Sequence, residues 1–219
     1  MDKPAVFLVL FFLIASCGIE KKIVDKPIIF NEEREQLTKE YLLNRYDITQ
    51  DHIEIVPKII VLHWTAIASL EKSYEAFYET KLPNWRPDLE NVSGLNVSSH
   101  FLIGQNGTIY RLMPETLMAR HVIGLNHAAI GIENVGGTED TPLTRAQLKA
   151  NIKLVKYLNS KYDIEYVIGH YEYTNFVGHE LWLEKNENYR TTKTDPGEWF
   201  MKKVRKATKK LEFRQVPTN

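Results

Sequence analysis

Two histidines stand directly after apolar runs. His63 follows KIIVL (58–62) and His170 follows YVIG (166–169). Both runs read as buried strands, and open sheets gather functional groups beyond the carboxyl ends of their strands. One such histidine is commonly a hydrogen-bonded core or rim residue. Two in equivalent settings allow a shared metal site. A catalytic zinc takes three protein ligands and keeps one position open for water. Cys17 is the only cysteine, so a third ligand in the body of the chain must be histidine or carboxylate. Asp195, in KTDPG (193–197), is a candidate. Asp-Pro also reads as a helix cap followed by proline at the first helical position, and a carboxylate with two oxygens can serve both uses. Lys193 has no place in a simple cap. Glu133 ends the run AAIGI, where an ionised carboxylate is costly without a partner. It reads either as a proton-transfer group or as a salt-bridged glutamate at a sheet edge.

These residues need a scaffold, and the patterning supplies one. FNEEREQLTKEYLLNRY (30–46) predicts a helix with Asn31 as its cap, and a second helix is expected over 69–80. SSHFLIGQNGTIYRL contains a hairpin turning at Asn106-Gly107. AAIGIENV (128–135) is another strand. Thr144 and Gln147 form a capping-box pattern opening a helix with Leu148, Ile152, Val155 and Leu158 on one stripe. A last helix is expected after Pro196, and WRPDLENVSGLN (85–96) has loop composition. The fold class is α/β: one domain with a central mixed sheet flanked by helices and the site on one open face.

The chain of 219 residues balances 28 basic against 28 acidic residues, so no global field favours nucleic acid. The last helix is locally basic. It is either a patch for anionic lipid or cell-wall polymer, or a solvated face with cations near a helix C-terminus. MDKPAVFLVLFFLIASC carries an apolar run too short to span a bilayer and reads as an export signal. Its end, Ile14-Ala15-Ser16-Cys17, resembles a bacterial lipobox with Cys17 as the lipidated residue. Residues 1–17 are thus expected as a lipoprotein signal, 18–29 as a tether, 30–212 as the domain with its catalytic core at 57–211, and 213–219 as a tail. The GxSxG elbow, the P-loop, GxGxxG and HExxH are all absent.

Five segments together resemble the zinc-dependent N-acetylmuramoyl-L-alanine amidases, a type shared by phage amidases, bacterial muropeptide amidases and peptidoglycan recognition proteins. They are IIVLHWTA (59–66), NVSSHFLIGQNGTIYRL (96–112), HAAIGIENVGG (127–137), VIGHYEY (167–173) and KTDPG (193–197), in the family's order. The resemblance implies Zn2+ held by His63, His170 and Asp195, with Glu133 as the catalytic acid–base and Lys193 stabilising the oxyanion. It implies hydrolysis of the bond between N-acetylmuramic acid and L-alanine of the stem peptide. The alternative is a recognition module on the same fold that binds peptidoglycan without cleaving it. A hydrolase acting on a different amide is a further rival.

Trp64 could stack on a sugar or fill the core, and Asn96, Arg120 and His121 could reach substrate sugar or carboxylates. His100 and His127 are expected as hydrogen-bond partners of the ligands. His179 and Trp182 lie in an insertion after His170 and are expected to pack it. The expected partners are peptidoglycan or muropeptides and a membrane reached through Cys17, with no nucleic acid and a monomeric chain. The expected location is the bacterial envelope, at the periplasmic face of the outer membrane.

Overall fold

The β-branched runs become strands buried along their whole length. In a computed structural model describing residues 18–20, 22–83 and 93–218, six strands form one sheet. They are β1 (Ile23–Asp25), β2 (Ile59–Leu62), β3 (Phe101–Ile103), β4 (Ile109–Arg111), β5 (Ala129–Asn134) and β6 (Tyr166–Gly169). Their order is β1-β4-β3-β5-β2-β6. β3, β5, β2 and β6 run parallel, β4 is antiparallel to β3, and β1 is parallel to β4. The central strands are covered on both faces, which is why they read as continuous apolar runs.

Among the described residues, the sheet is flanked by α1 (Glu32–Tyr46), α2 (Leu70–Tyr78), α3 (Arg145–Lys161) and α4 (Glu198–Thr208). Their starts follow capping chemistry. Asn31 accepts from the Arg34 amide at 2.9 Å, and Ser69 accepts from Lys72 at 3.2 Å. Thr144 and Gln147 close a full capping box, each side chain accepting from the other's backbone N–H.

The two faces of the sheet have different partners. Ile60, Leu62, Ile130, Ile132 and Val167 pack against Leu154, Leu158, Phe200, Met201 and Val204 of α3 and α4. Ile59, Val61, Ala129, Tyr166 and Ile168 pack on the other side against Val122, Leu125, Tyr173 and Phe176. Because side chains alternate along a strand, residues 63, 133 and 170 continue the second set. The site therefore belongs to the face away from α3 and α4.

Three expectations about the chain's organisation need correction. The tether, 18–29, contains β1, and Ile28 is buried, so this stretch is part of the domain. The tail is not loose: Phe213 packs against the core and Arg214 pairs with Glu165 at 2.7 Å. Asp195 does not cap α4. That helix starts at Glu198 with Gly197 at the cap position and no side-chain cap bond. The expected export signal, Cys17 and most of the 85–96 loop lie outside the described residues.

Candidate metal centre and its cleft

The sheet register brings the histidines together. Leu62 is level with Ile132 on one side and with Gly169 on the other, so the next residues, His63, Glu133 and His170, form one row. The segment after the 171–192 insertion then returns Asp195 to this row, where its carbonyl accepts from the Tyr171 amide at 3.1 Å. Asp195 Oδ2 lies 3.2 Å from His63 Nδ1 and 3.0 Å from His170 Nδ1. One ligand atom from each residue falls within 4.8 Å of the others, and all three side chains are buried. Ligand atoms at roughly 2.0–2.1 Å around a tetrahedral ion sit about 3.3 Å apart. The spacing fits.

The protonation states also fit. Burial, with the neighbouring His63, pushes the His170 pKa down to about 4 against the pull of Asp195. Burial alone would raise the Asp195 pKa, but hydrogen bonds to His170 and His63 outweigh it and hold the group well below the usual carboxylate range. A neutral imidazole and an ionised carboxylate are the forms that bind a metal.

His121 fixes the tautomer of His63. Its Nε2 is 3.2 Å from the Ala129 carbonyl, which can only accept, so Nε2 carries the proton. Burial, reinforced by His63, holds the His121 pKa well below its ordinary value, so Nδ1 is a bare acceptor. That Nδ1 lies 3.0 Å from His63 Nε2, which must donate. With Nε2 donating to His121, Nδ1 is the His63 nitrogen that faces the Asp195 carboxylate, where it either donates a proton to that carboxylate or, once deprotonated, offers its lone pair to a metal. Gly131 makes room for this, since a Cβ there would come 2.8 Å from the His121 ring. His121→Phe keeps a planar aromatic ring, slightly larger than imidazole, and removes the acceptor. Zinc affinity should fall by about 10–100-fold, read by chelator competition. Unchanged affinity would show that His63 needs no such partner.

A cleft of about 340 Å³ opens over the cluster. His63, His170 and Asp195 form its floor, Glu133 and Lys193 reach it from β5 and from beside Asp195, and Trp64 and Tyr41 contribute to its walls. Glu133 is 9% exposed, so it meets solvent only through the cleft. Trp64 is held over the Gly136-Gly137 turn, where a Cβ on Gly137 (φ 98°) would come 2.3 Å from the indole.

The other expected contacts are rearranged. Asn96 is absent from the described residues that line the cleft; its amide donates to the Ala76 and Glu79 carbonyls at 3.1 and 2.9 Å. Arg120 lines the cleft, but its guanidinium donates to the Ser93 carbonyl at 3.2 Å, to the Leu95 carbonyl and to the Tyr189 hydroxyl at 3.4 Å. It fastens the wall and is not poised for a substrate carboxylate. His121 lies beneath His63 and takes the partner role expected of His100 and His127. His100 instead accepts from the Gly131 amide and bonds the Leu117 carbonyl, while His127 packs on Tyr46. Trp182 stacks on Tyr173 and His179 bonds the Tyr166 hydroxyl at 3.2 Å, so both pack the insertion.

α1 has a part that sequence reasoning did not assign. Tyr41 and Tyr46 accept from the Asn126 amide, whose oxygen accepts from the His121 and Val122 N–H groups. The helix thereby braces the segment carrying His121. Polar residues at 41, 46 and 126 were the only signal available.

Fold and cluster together define a class: α/β domains with two histidines and a carboxylate grouped at the carboxyl edge of a mixed sheet. Within that class, the chain belongs to the N-acetylmuramoyl-L-alanine amidase family (Amidase_2), whose family model matches residues 54–198. It is 31% identical over 102 residues to the endolysin of Escherichia phage T7, covering 42% of this chain and 68% of the endolysin. It is 30% identical over 95 residues to peptidoglycan recognition protein 3 of Mus musculus, covering 41% of this chain and 26% of that protein. The match thus spans about a quarter of the mouse protein's length. A selenomethionine derivative of AmpD superimposes with a TM-score of 0.53 at 22% identity, over 85% of this chain and 94% of that one, and shows the same fold.

Proposed function

We propose that the chain hydrolyses the amide between N-acetylmuramic acid and the L-alanine of the peptidoglycan stem peptide, with Zn2+ held by His63, His170 and Asp195. The observation that carries this is the convergence of those three residues beneath a cleft that also holds Glu133 and Lys193. Membership of the amidase family supports it. When bound, the ion supplies Lewis acidity at the scissile carbonyl and eases deprotonation of the attacking water. Glu133 takes the proton from that water and delivers it to the leaving L-alanine amine, so one carboxylate serves as base and then as acid. The Lys193 ammonium offsets negative charge growing on the carbonyl oxygen. Trp64 offers an apolar face to the glycan or its acyl groups. The products are a glycan bearing a free lactyl carboxylate and a released stem peptide.

The proposal extends to location. The lipobox-like end at Cys17 supports lipid anchoring in a bacterial envelope, and Gly18 after it favours the periplasmic face of the outer membrane. We take the chain to act as a monomer on peptidoglycan or muropeptides, without nucleic acid.

Peptidoglycan digested with zinc-loaded and with chelated protein should separate the readings. Mass spectrometry should find free stem peptides beginning with L-alanine in the zinc-loaded digest alone. Tight glycan binding with no peptide released would make the protein a recognition module. Peptides cut elsewhere would make it a different amidase.

A further inference from the structure

Eleven lysines and arginines against a single acid make up α3, α4 and the 3-10 turn Lys209–Leu211 that follows. The whole chain is neutral, so this basic layer is set against an acidic remainder. α3 contains no acidic residue and α4 only Glu198. Two of the eleven cations are committed: Lys161 pairs with Glu115 at 3.1 Å and Arg205 with Glu172 at 2.5 Å. The other nine have no ion pair among the described residues. Lys149, Lys153 and Lys156 on α3 and Lys202, Lys203 and Lys206 on α4 are all exposed.

A helix face that merely meets water usually mixes its signs, because opposite charges four residues apart stabilise it and like charges repel. Here Lys149 and Lys153, and likewise Lys202 and Lys206, repeat one sign at that spacing. The two helices pack against each other and bury their apolar sides on the sheet, so the cations form one continuous outward layer.

Two observations indicate what the layer meets. Trp199, at the start of α4, is 56% exposed, and the Lys203 ammonium lies 5.8 Å from its ring centre. An exposed indole among lysines matches the depth at which tryptophan sits between headgroups and acyl chains. The second is where the chain enters. Ile19 packs into the core cluster shared with α3, and Glu20 reaches Arg111 and Tyr157 of α3. The first described residues therefore lie on this same side.

We propose that the outer face of α3 and α4 docks on a bilayer surface of anionic lipid headgroups. His63, Glu133 and His170 project from the opposite face of the sheet, so a docked domain turns its cleft away from the bilayer. That last consequence rests on the amidase reading, because it aims the cleft at the wall polymer. The docking itself does not.

Amine-reactive footprinting of the full chain tests it on vesicles of phosphatidylcholine alone and of phosphatidylcholine mixed with phosphatidylglycerol. On the anionic vesicles, acylation of Lys153, Lys203 and Lys206 should slow severalfold and recover in high salt. Lys72 and Lys185, exposed on other elements, should react equally on both. Equal rates for every lysine on the two vesicles would overturn the proposal. So would protection produced by a soluble anionic wall polymer and not by the vesicles. A full-chain variant with Lys149→Glu, Lys202→Glu and Lys206→Glu should lose the lipid-dependent protection of Lys153 and Lys203. These sites are solvent-exposed, so its hydrolysis of soluble muropeptides should match the parent. Protection that persists in that variant counts against docking by this layer. Hydrolysis is not part of the footprint, so the proposal and the amidase reading can fail separately.

Discussion

Asp195→Ala is expected to leave the domain folded and to strip it of metal. The carboxylate does not cap α4, and the backbone bond its carbonyl accepts from Tyr171 survives the substitution. Secondary structure, and the thermal midpoint compared with that of the metal-free parent, should therefore change little. What disappears is the one oxygen shared by both imidazoles, at 3.2 Å from His63 and 3.0 Å from His170. Two histidines remain, without the adjoining carboxylate that balances a divalent charge in a buried site. Loss of a mere hydrogen-bond partner of a ligand costs about 10–100-fold in metal affinity. Loss of a ligand should exceed that, so the purified variant should hold well under one equivalent of zinc. Amide hydrolysis should fall at least as far as the metal content. Full zinc occupancy in a folded Asp195→Ala protein, measured by elemental analysis, would remove Asp195 from the ligand set.

The sequence made His63 and His170 visible because each ends an uninterrupted apolar run, and strand direction does the rest. The capping box at Thr144 and the Asn106-Gly107 hairpin were equally legible, since their signals are local. β1 was not. It has three residues, two of them exposed, and is recruited by pairing with β4 instead of by any apolar pattern of its own. Asp195 misled because Asp-Pro is a local capping signal, while the position of its carboxylate is decided by residues 25 and 132 positions away. Arg120 and Asn96 misled for a related reason. A polar side chain in a matched segment looks available for ligand until its donors are found on backbone carbonyls. Choosing His121 over His100 and His127 needed a contact across 58 residues, which no local pattern encodes.

Glu133→Gln should separate binding from chemistry. Glutamine has the same shape, and β5 holds position 133 level with Leu102 of β3, so the backbone need not move. The side chain is 9% exposed and meets the cleft, where an amide packs as well as a carboxylate. An amide cannot accept a proton, however, and this residue is asked to take one from water and hand it to the leaving amine. General acid–base catalysis of this kind contributes about 10²–10⁴-fold. The variant should bind zinc normally, retain its affinity for muropeptide and lose kcat by about that factor. This combination would distinguish Glu133 from the proposed ligands, whose removal should lower zinc content and rate together. It also distinguishes Glu133 from Lys193, whose proposed action is on charge and not on proton transfer. If Glu133→Gln kept the parent rate, the proton would travel by another route, and the remaining use for a carboxylate at this depth would be electrostatic.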